Sequence, residues 1–273
     1  MTEASAPVLA GRAALVTGAS RRRGIGVAIA KRLAAAGASV VIHHHRPHDD
    51  SQPWGGDDLE AVLAEIRPLL APGASLAEVP GDLALPGTPE QVVCQAQELA
   101  GPLDILVCNH AASGSDGPLL QQTVTQLDHH WAVDARSVLL ATQAFARLHD
   151  PSRPGARVVW MTSGQQLGPL PGEIAYGSAK AALAGITQTV ADELADLGIG
   201  LNTVNPGPVN SGYLDPGMGF DDDTLEAARR RFPGGRVGEP DDPARLIAWL
   251  VSDDARWVVG QVISTEGGFR RWT

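Results

Sequence analysis

Short apolar runs alternate with longer periodic segments along most of the chain. The first run, residues 13–17, ends in a glycine-rich turn, which an alanine-rich segment at 25–36 and a second apolar run at 39–42 follow. This order predicts a strand, a helix and a second strand, and Gly37 is a residue that commonly ends a helix. The first forty residues therefore predict a βαβ unit.

The same alternation predicts about seven strands separated by helices. The further predicted strands are 75–79, 105–108, 157–162, 200–204 and 261–264. The further predicted helices are 57–70, 89–100, 125–149, 175–197, 225–231 and 242–251. Buried strands that alternate with helices are typical of a parallel sheet covered on both faces, so we predict an α/β, doubly wound Rossmann fold. We expect an N-terminal tail at 1–10, a single domain at 11–273 and a polar loop at 46–56.

Composition narrows the class of protein. The chain has 273 residues, of which 44% are hydrophobic, and a formal net charge of −10, which argues against a nucleic-acid partner. Cys94 and Cys108 are the only cysteines, which excludes a disulfide scaffold and fits a reducing cytoplasm. Because we find neither a secretion signal nor an apolar stretch of about 20 residues, we expect a cytoplasmic protein without a membrane partner.

The turn after the first strand reads TGASRRRGIG from Thr17 to Gly26. Glycines there would let the backbone approach a pyrophosphate, which the N–H groups at the start of the next helix would bind. Tight turns also use glycine for steric reasons, and three arginines could form a solvated bulge. The place of the turn in the first βαβ unit favours a dinucleotide site. The candidate contacts are Gly18, Ser20, Arg21, Arg22, Arg23, Gly24, Ile25 and Gly26.

The end of the second strand indicates which dinucleotide would bind. A site selective for NAD usually offers an acid there to the ribose hydroxyls. This chain instead reads His43-His44-His45-Arg46. Because a carboxylate would repel a 2′-phosphate and these side chains would not, NADP(H) is favoured over NAD(H), with His44, His45 and Arg46 as candidate contacts. Successive strand residues point to opposite faces, so these histidines do not predict a metal site.

A tyrosine and a lysine one helical turn apart open a long predicted helix. Tyr176 and Lys180 share a helix face, and Ser163 follows a predicted strand at the edge where such sheets bind ligands. A nearby ammonium lowers the pKa of a phenol, which is ordinarily about 10. Alone, such a pair is an ordinary surface feature. Behind a nucleotide turn, it predicts a proton-transfer site in which Tyr176 is the acid and Ser163 binds the carbonyl oxygen.

Taken together, these motifs resemble the short-chain dehydrogenase/reductase family from Thr17 to Gly268, in particular members like the 3-oxoacyl-carrier-protein reductases. Ser163, Tyr176 and Lys180 match the family's catalytic serine, tyrosine and lysine. The resemblance implies that Tyr176 and Lys180 also bind the cofactor. It implies further cofactor contacts from Asp82, Leu83, Asn109, His110, Ala111, Pro206, Gly207, Val209 and Ser211.

The function that the resemblance implies is an NADP(H)-dependent oxidoreductase acting on a small-molecule ketone or alcohol. A 3-oxoacyl thioester, free or bound to a carrier protein, and a biosynthetic ketone are the substrates it suggests, and a homotetramer or homodimer is the expected assembly. A non-redox dehydratase or cyclase and an NADP-binding regulatory protein remain alternatives. We expect substrate contacts from segments 112–119, 165–173 and 211–231.

One catalytic position departs from the family pattern. The family's fourth catalytic residue is an asparagine that holds a proton-relaying water, and this chain has Asp134 there, in the context Val133-Asp134-Ala135-Arg136. A carboxylate could pair with Lys180 and raise the pKa of the lysine and the tyrosine, or Arg136 could neutralise it. Two outcomes follow: the relay works with a carboxylate, or the activity is weak or altered.

Overall fold

Seven parallel strands form one sheet. The structure is a computed structural model that describes residues 7–215, 218 and 221–272. The strands are β1 (Ala13–Val16), β2 (Ser39–His44), β3 (Leu76–Pro80), β4 (Ile105–Cys108), β5 (Ala156–Met161), β6 (Ile199–Asn205) and β7 (Val262–Ser264). Their order across the sheet is β3-β2-β1-β4-β5-β6-β7. The predicted α/β class and the parallel, doubly wound sheet are confirmed.

Helices connect the strands and cover both faces of the sheet. They are α1 (Ile25–Ala35), α2 (Arg46–Asp50), α3 (Leu59–Ile66), α4 (Thr88–Ala100), α5 (Val124–Trp131), α6 (Ser137–Leu148), α7 (Ile174–Ala195), α8 (Asp222–Arg230) and α9 (Asp241–Leu250). A π-helical turn, Ala132–Arg136, joins α5 to α6, so the predicted helix 125–149 is one continuous rod with a widened turn in its middle.

Alternate residues of the central strands supply two separate cores. In β1, Ala14 and Val16 pack in a buried cluster with α1, α3 and α9, whereas Ala13 and Leu15 pack with α4, α6 and α7 on the opposite face. This follows from the two-residue period of a strand, whose side chains point to opposite faces in turn. Helices therefore cover both faces of the sheet and exclude water from them, so the edge of the sheet is the part left open to a ligand.

The predicted loop at 46–56 is partly wrong, because its first residues form α2. Pro47 lies in the first turn of this helix, where the fixed φ of proline is favourable and its missing N–H costs nothing. The helix turns the chain back toward the sheet after β2. Side chains from this polar segment consequently reach the edge where β1 and β2 end.

The inner end of the predicted tail at 1–10 packs on the rest of the domain. Leu9 is fully buried, and its backbone N–H donates to the carbonyl of Ala36 at 2.8 Å. The remainder of the tail, residues 1–6, lies outside the described residues, as do 216, 217, 219 and 220 of the predicted substrate segment, and 273.

Candidate active site

A groove of about 520 Å³ runs along the carboxyl edge of the sheet. Most of the predicted cofactor contacts line it: Gly18, Ser20, Arg21, Gly24, Ile25, His45, Asp82, Leu83, Asn109, His110, Ala111, Tyr176, Lys180, Pro206 and Ser211. The carboxyl ends of parallel strands are where ligands bind in open α/β sheets. The fold thus brings the glycine turn and the tyrosine–lysine pair to one surface.

The glycine turn packs so closely that side chains would not fit. Gly18 has φ of +66°, and a Cβ there would lie 2.6 Å from the Cα of His110. A Cβ on Gly26 would lie 2.4 Å from the carbonyl oxygen of Gly18, so Gly26 shapes the turn but does not line the groove. Helix α1 begins next to this turn without a side-chain cap and without an acid in its first turn. Its first N–H groups are therefore suited to bind an anion.

Arg21 extends into the groove and touches three of its walls. Its guanidinium lies 3.7 Å from the carboxylate of Asp49, donates to Ser211 Oγ at 3.3 Å and lies 5.2 Å from the ring centre of Trp54. The side chain is held by an acid, a hydroxyl and an aromatic face at once. A fixed guanidinium of this kind is suited to a phosphate.

The other two arginines of the turn pair with acids outside the groove. Arg22 pairs with Glu65 on α3, and Arg23 pairs with Asp215. Neither arginine lines the groove. Of the three predicted arginine contacts, the groove therefore includes only Arg21.

His43 also lines the groove, although it was not among the predicted contacts. Its Nε2 lies 3.0 Å from the carbonyl oxygen of Gly81, and its Nδ1 accepts from the N–H of Gly18 at 3.3 Å. These partners fix the neutral tautomer with the proton on Nε2. Burial lowers the pKa of His43 to about 4.

Two of the three predicted contacts after β2 do not reach the groove. His44 is directed along the sheet to Glu78 on β3, with 2.7 Å between Nε2 and Oε2. Arg46 lies 3.7 Å from Asp50 within α2. Only His45 lines the groove. The alternation of side chains along β2 explains this separation.

An acid is present near the end of β2 after all. Helix α2 brings Asp49 into the groove wall, where it is buried, accepts a hydrogen bond from Ser20 and faces Arg21. The inference that this end of the sheet lacks a carboxylate is therefore wrong. The positive charge of Arg21 offsets it, because the pair lies side by side.

Gly207 and Val209 position the segment after β6 without lining the groove. Gly207 has φ of +71° and lies against Glu266, while Val209 forms an isolated parallel bridge with Gly238. Their neighbours Pro206 and Ser211 line the groove. The predicted contacts in this segment thus divide into two that line it and two that shape it.

Tyr176 and Lys180 face the same space, as their spacing predicts. Tyr176 is half-buried in the groove wall, and Lys180 Nζ lies 5.7 Å from the centre of its ring. The side chain of Ser163 hydrogen bonds to that of Tyr176, although Ser163 itself does not line the groove. Lys180 is only 1% exposed, and burial lowers its pKa even though the charge of Asp134 acts to raise it.

The pKa of Tyr176 is raised, in the direction expected from Asp134 and against the lowering expected from Lys180. Burial raises it first and the negative charge of Asp134 second, and the hydrogen bond with Ser163 only partly counteracts them. A phenol with a raised pKa keeps its proton at neutral pH and releases it less readily than an ordinary tyrosine.

Asp116 anchors the start of α7, a role that the sequence does not reveal. Its two carboxylate oxygens accept the backbone N–H groups of Ala175 at 3.0 Å and Tyr176 at 2.8 Å. Burial acts to raise the pKa of Asp116, but these bonds and that from Gly117 outweigh it, and the pKa is lowered. The backbone of the tyrosine is thus tied to a loop about sixty residues earlier in the chain.

Asp134 is fully buried in the π-helical turn and pairs with a histidine. Its Oδ1 accepts the backbone N–H of Ala112 at 2.7 Å, and its Oδ2 lies 2.7 Å from Nδ1 of His130. Arg136, which we considered as its partner, donates to the carbonyl of Ala84 instead. The sequence signal for the true partner was a histidine four residues earlier on the same helix face.

Comparison with known proteins decides the family. A model described as enoyl-(acyl carrier protein) reductase matches residues 18–270. The uncharacterized oxidoreductase YjdA of Bacillus subtilis is 38% identical, over 94% of this chain and 96% of its own length. This chain belongs to the short-chain dehydrogenase/reductase family. The resemblance inferred from its motifs is confirmed, and the protein is an oxidoreductase of that family.

The names of two further relatives mention a cofactor. An NADPH-dependent aldehyde reductase-like chloroplastic protein of Arabidopsis thaliana is 32% identical, over 96% of this chain and 95% of its own. A short-chain dehydrogenase of Burkholderia cenocepacia, solved in complex with NADP, is 36% identical, with a TM-score of 0.79 over 95% of this chain and 98% of that one.

No metal-binding cluster of three or more suitable side chains occurs among the residues that the structure describes. Within the same residues, no helix combines the length and the apolar character needed to cross a bilayer.

Proposed function

We propose that this protein is an NADP(H)-dependent oxidoreductase that transfers hydride between nicotinamide and a ketone or alcohol. The observation that carries the proposal is the meeting of Tyr176, Ser163 and Lys180 beside the groove that the uncapped end of α1 opens. A positioned acid next to a dinucleotide-sized groove is the arrangement that hydride-transfer chemistry requires.

The groove fits a phosphorylated dinucleotide. The first N–H groups of α1 and the backbone at Gly18 would hold the pyrophosphate, and Arg21 with His45 would hold the 2′-phosphate. Asp82 would lie at the adenine. Asp49 is compatible with a 2′-phosphate because it is already paired with Arg21. The NADP complex of the Burkholderia relative and the NADPH dependence in the name of the Arabidopsis relative support this choice.

When bound, the cofactor would supply the hydride, and side chains of this chain would bind and protonate the carbonyl oxygen. The Ser163 hydroxyl donates a hydrogen bond to that oxygen, and Tyr176 delivers the proton to it. The raised pKa of Tyr176 keeps the phenol protonated until negative charge develops on the oxygen. Lys180 would bind the nicotinamide ribose and place a positive charge beneath the tyrosine ring.

Binding and turnover are tested separately. We expect NADPH to raise the melting temperature of the purified protein, and NADPH absorbance to fall when carbonyl compounds from a broad panel are added. Binding without any loss of absorbance would favour the alternatives, a regulatory protein or a non-redox enzyme. Absence of a thermal shift at millimolar NADPH would contradict the proposal.

Tyr176→Phe tests the proton donor. We expect kcat to fall by a factor of about 10² to 10⁴, the range for loss of a general acid, while the affinity for NADPH stays nearly unchanged. A Tyr176→Phe enzyme as active as the wild type would refute the role.

Three expectations remain predictions: the substrate, the assembly and the cytoplasmic location. Arg229 and Arg230 of the predicted substrate segment 211–231 both lie near Glu226 on α8. Exposed apolar side chains on α5, such as Val124, support assembly into a homodimer or homotetramer. Light scattering after size-exclusion chromatography measures the assembly directly.

A further inference from the structure

A buried histidine–aspartate pair lies beside the proposed proton donor. His130 and Asp134 are 1% and 0% exposed. The imidazole Nδ1 of His130 lies 2.7 Å from Asp134 Oδ2, and its Nε2 lies 3.0 Å from the carbonyl oxygen of Gly114. The ring stands edge-on to that of Tyr176, with 6.2 Å between the centres.

The partners of the pair fix its proton count. The carbonyl oxygen of Gly114 can only accept, so Nε2 of His130 must carry a hydrogen. A single further hydrogen fits between Nδ1 and Oδ2 of Asp134, wherever along that bond it resides. With that hydrogen present, the pair has no net charge. The backbone N–H of Ala112, which donates to Oδ1, favours the form with an ionised carboxylate and a protonated imidazole.

We propose that His130 is a positioning residue of the proton-transfer site, which with Asp134 forms a singly protonated, neutral pair in place of the family's asparagine. This inference rests on the proposed function, since the pair acts through Tyr176 and Lys180. A lone carboxylate at position 134 would hold the ammonium of Lys180 to itself and oppose formation of the phenolate, because its charge acts to raise the pKa of both Lys180 and Tyr176. A protonated imidazole hydrogen-bonded to Oδ2 opposes that effect with a positive charge of its own.

Several titratable groups face the pair, and their effects are compatible with it. They are His129 on the same helix, Asp116 on the preceding loop, Glu173, Tyr176 and Lys180 at α7, and His48 on α2. Burial acts to lower the pKa of His130, but the bond and charge of Asp134, the carbonyl of Gly114 and the charge of Asp116 outweigh it. The net shift is upward, in the direction that favours the protonated imidazole.

A double-mutant cycle distinguishes charge compensation from packing. The variants are His130→Gln, Asp134→Asn and the two combined, with His149→Gln as the matched control. His149 follows the far end of α6 and stacks on Phe145. His130→Gln should lower kcat at pH 7 about tenfold and move the pH profile of kcat up by about one unit, since one pKa unit corresponds to a factor of ten. NADPH affinity should change far less.

The combined variant should recover most of the activity that His130→Gln loses, because the amide of the second substitution removes the uncompensated charge. His149→Gln should leave the pH profile in place. If the two single losses simply accumulate in the combined variant, or if the profile of His130→Gln does not move, the proposal is wrong.

An NMR titration of the His130 ring tests the pair without turnover. In the wild-type protein the ring should stay protonated well above its ordinary pKa of about 6.5, and Asp134→Asn should lower that value by at least about one unit. Titration at the ordinary value in the wild type would overturn the proposal even if His130→Gln fails to fold. A wild-type protein that oxidises no NADPH would overturn the proposed function alone, because this titration decides the pair independently.

Discussion

Replacing Asp116 tests whether a distant loop holds the catalytic tyrosine in place. Asp116→Ala removes the acceptor for the N–H groups of Ala175 and Tyr176 and leaves the start of α7 without a side-chain partner. Loss of a capping oxygen costs about 0.5–2 kcal/mol, and loss of the charge at a helix N-terminus about 0.3–1 kcal/mol more. We therefore expect a loss of about 1–2 kcal/mol, which lowers the melting temperature by roughly 2–6 °C.

The pH dependence of this loss follows from the lowered pKa of Asp116. A carboxyl group with a lower pKa in the folded state stabilises the fold above its ordinary pKa of about 4, and the benefit disappears as the pH falls through the folded value. The wild type and Asp116→Ala should thus differ most at neutral pH and converge in acid. Asp116→Asn, which keeps one oxygen acceptor, should fall between them.

The activity assay separates positioning from general stability. Because a misplacement of about 1 Å can cost a factor of about 10², we expect kcat of Asp116→Ala to fall about 10- to 100-fold while NADPH affinity is retained. Asp150→Ala is the control, since Asp150 accepts the N–H of Ser152 in an exposed loop away from the groove. A loss of stability in Asp116→Ala without any loss of kcat would refute the positioning argument.

Two further predictions concern the cofactor and the acid stability. Arg21→Ala should weaken NADPH binding at least about tenfold, because hydrogen bonds to charged groups contribute about 1.5–3 kcal/mol, and should leave NADH binding nearly unchanged. Arg22→Ala is its control, and equal losses for both cofactors by titration calorimetry would contradict the assignment. His43 is buried neutral with a pKa of about 4 and must bind a proton when it unfolds in acid, so His43→Gln should lessen the fall in unfolding free energy between pH 7 and 5 by about 2 kcal/mol. Urea titrations at both pH values measure this difference, and parallel pH dependence in the two proteins would count against it.

The sheet and the catalytic tyrosine could be predicted because their signals are local. Buried parallel strands read as continuous apolar runs, and the four-residue spacing of Tyr176 and Lys180 places them on one helix face whatever surrounds them. Helix α2 could not be predicted in the same way, because its five residues show no apolar period. With it the sequence missed Asp49, the acid that faces Arg21.

Features that depend on long-range packing could not be predicted from the sequence. The bond from Tyr176 to Asp116 joins segments sixty residues apart, and nothing near either residue marks it. The sign of the Tyr176 pKa shift required the burial of the phenol, which the presence of Lys180 alone does not reveal. The four-residue spacing between His130 and Asp134 was a signal for their pairing, although Lys180 and Arg136 were the partners expected for Asp134.

The groove draws its lining from nearly the full length of the chain, from Gly18 to Ser211. Neither half could therefore melt separately and still present a binding surface. A dinucleotide bound there would contact segments from several strands of the sheet. Its binding should therefore raise the free energy of global unfolding, by an amount that grows with the logarithm of its concentration. Resistance to proteolysis should consequently rise together at cleavage sites far apart in the chain.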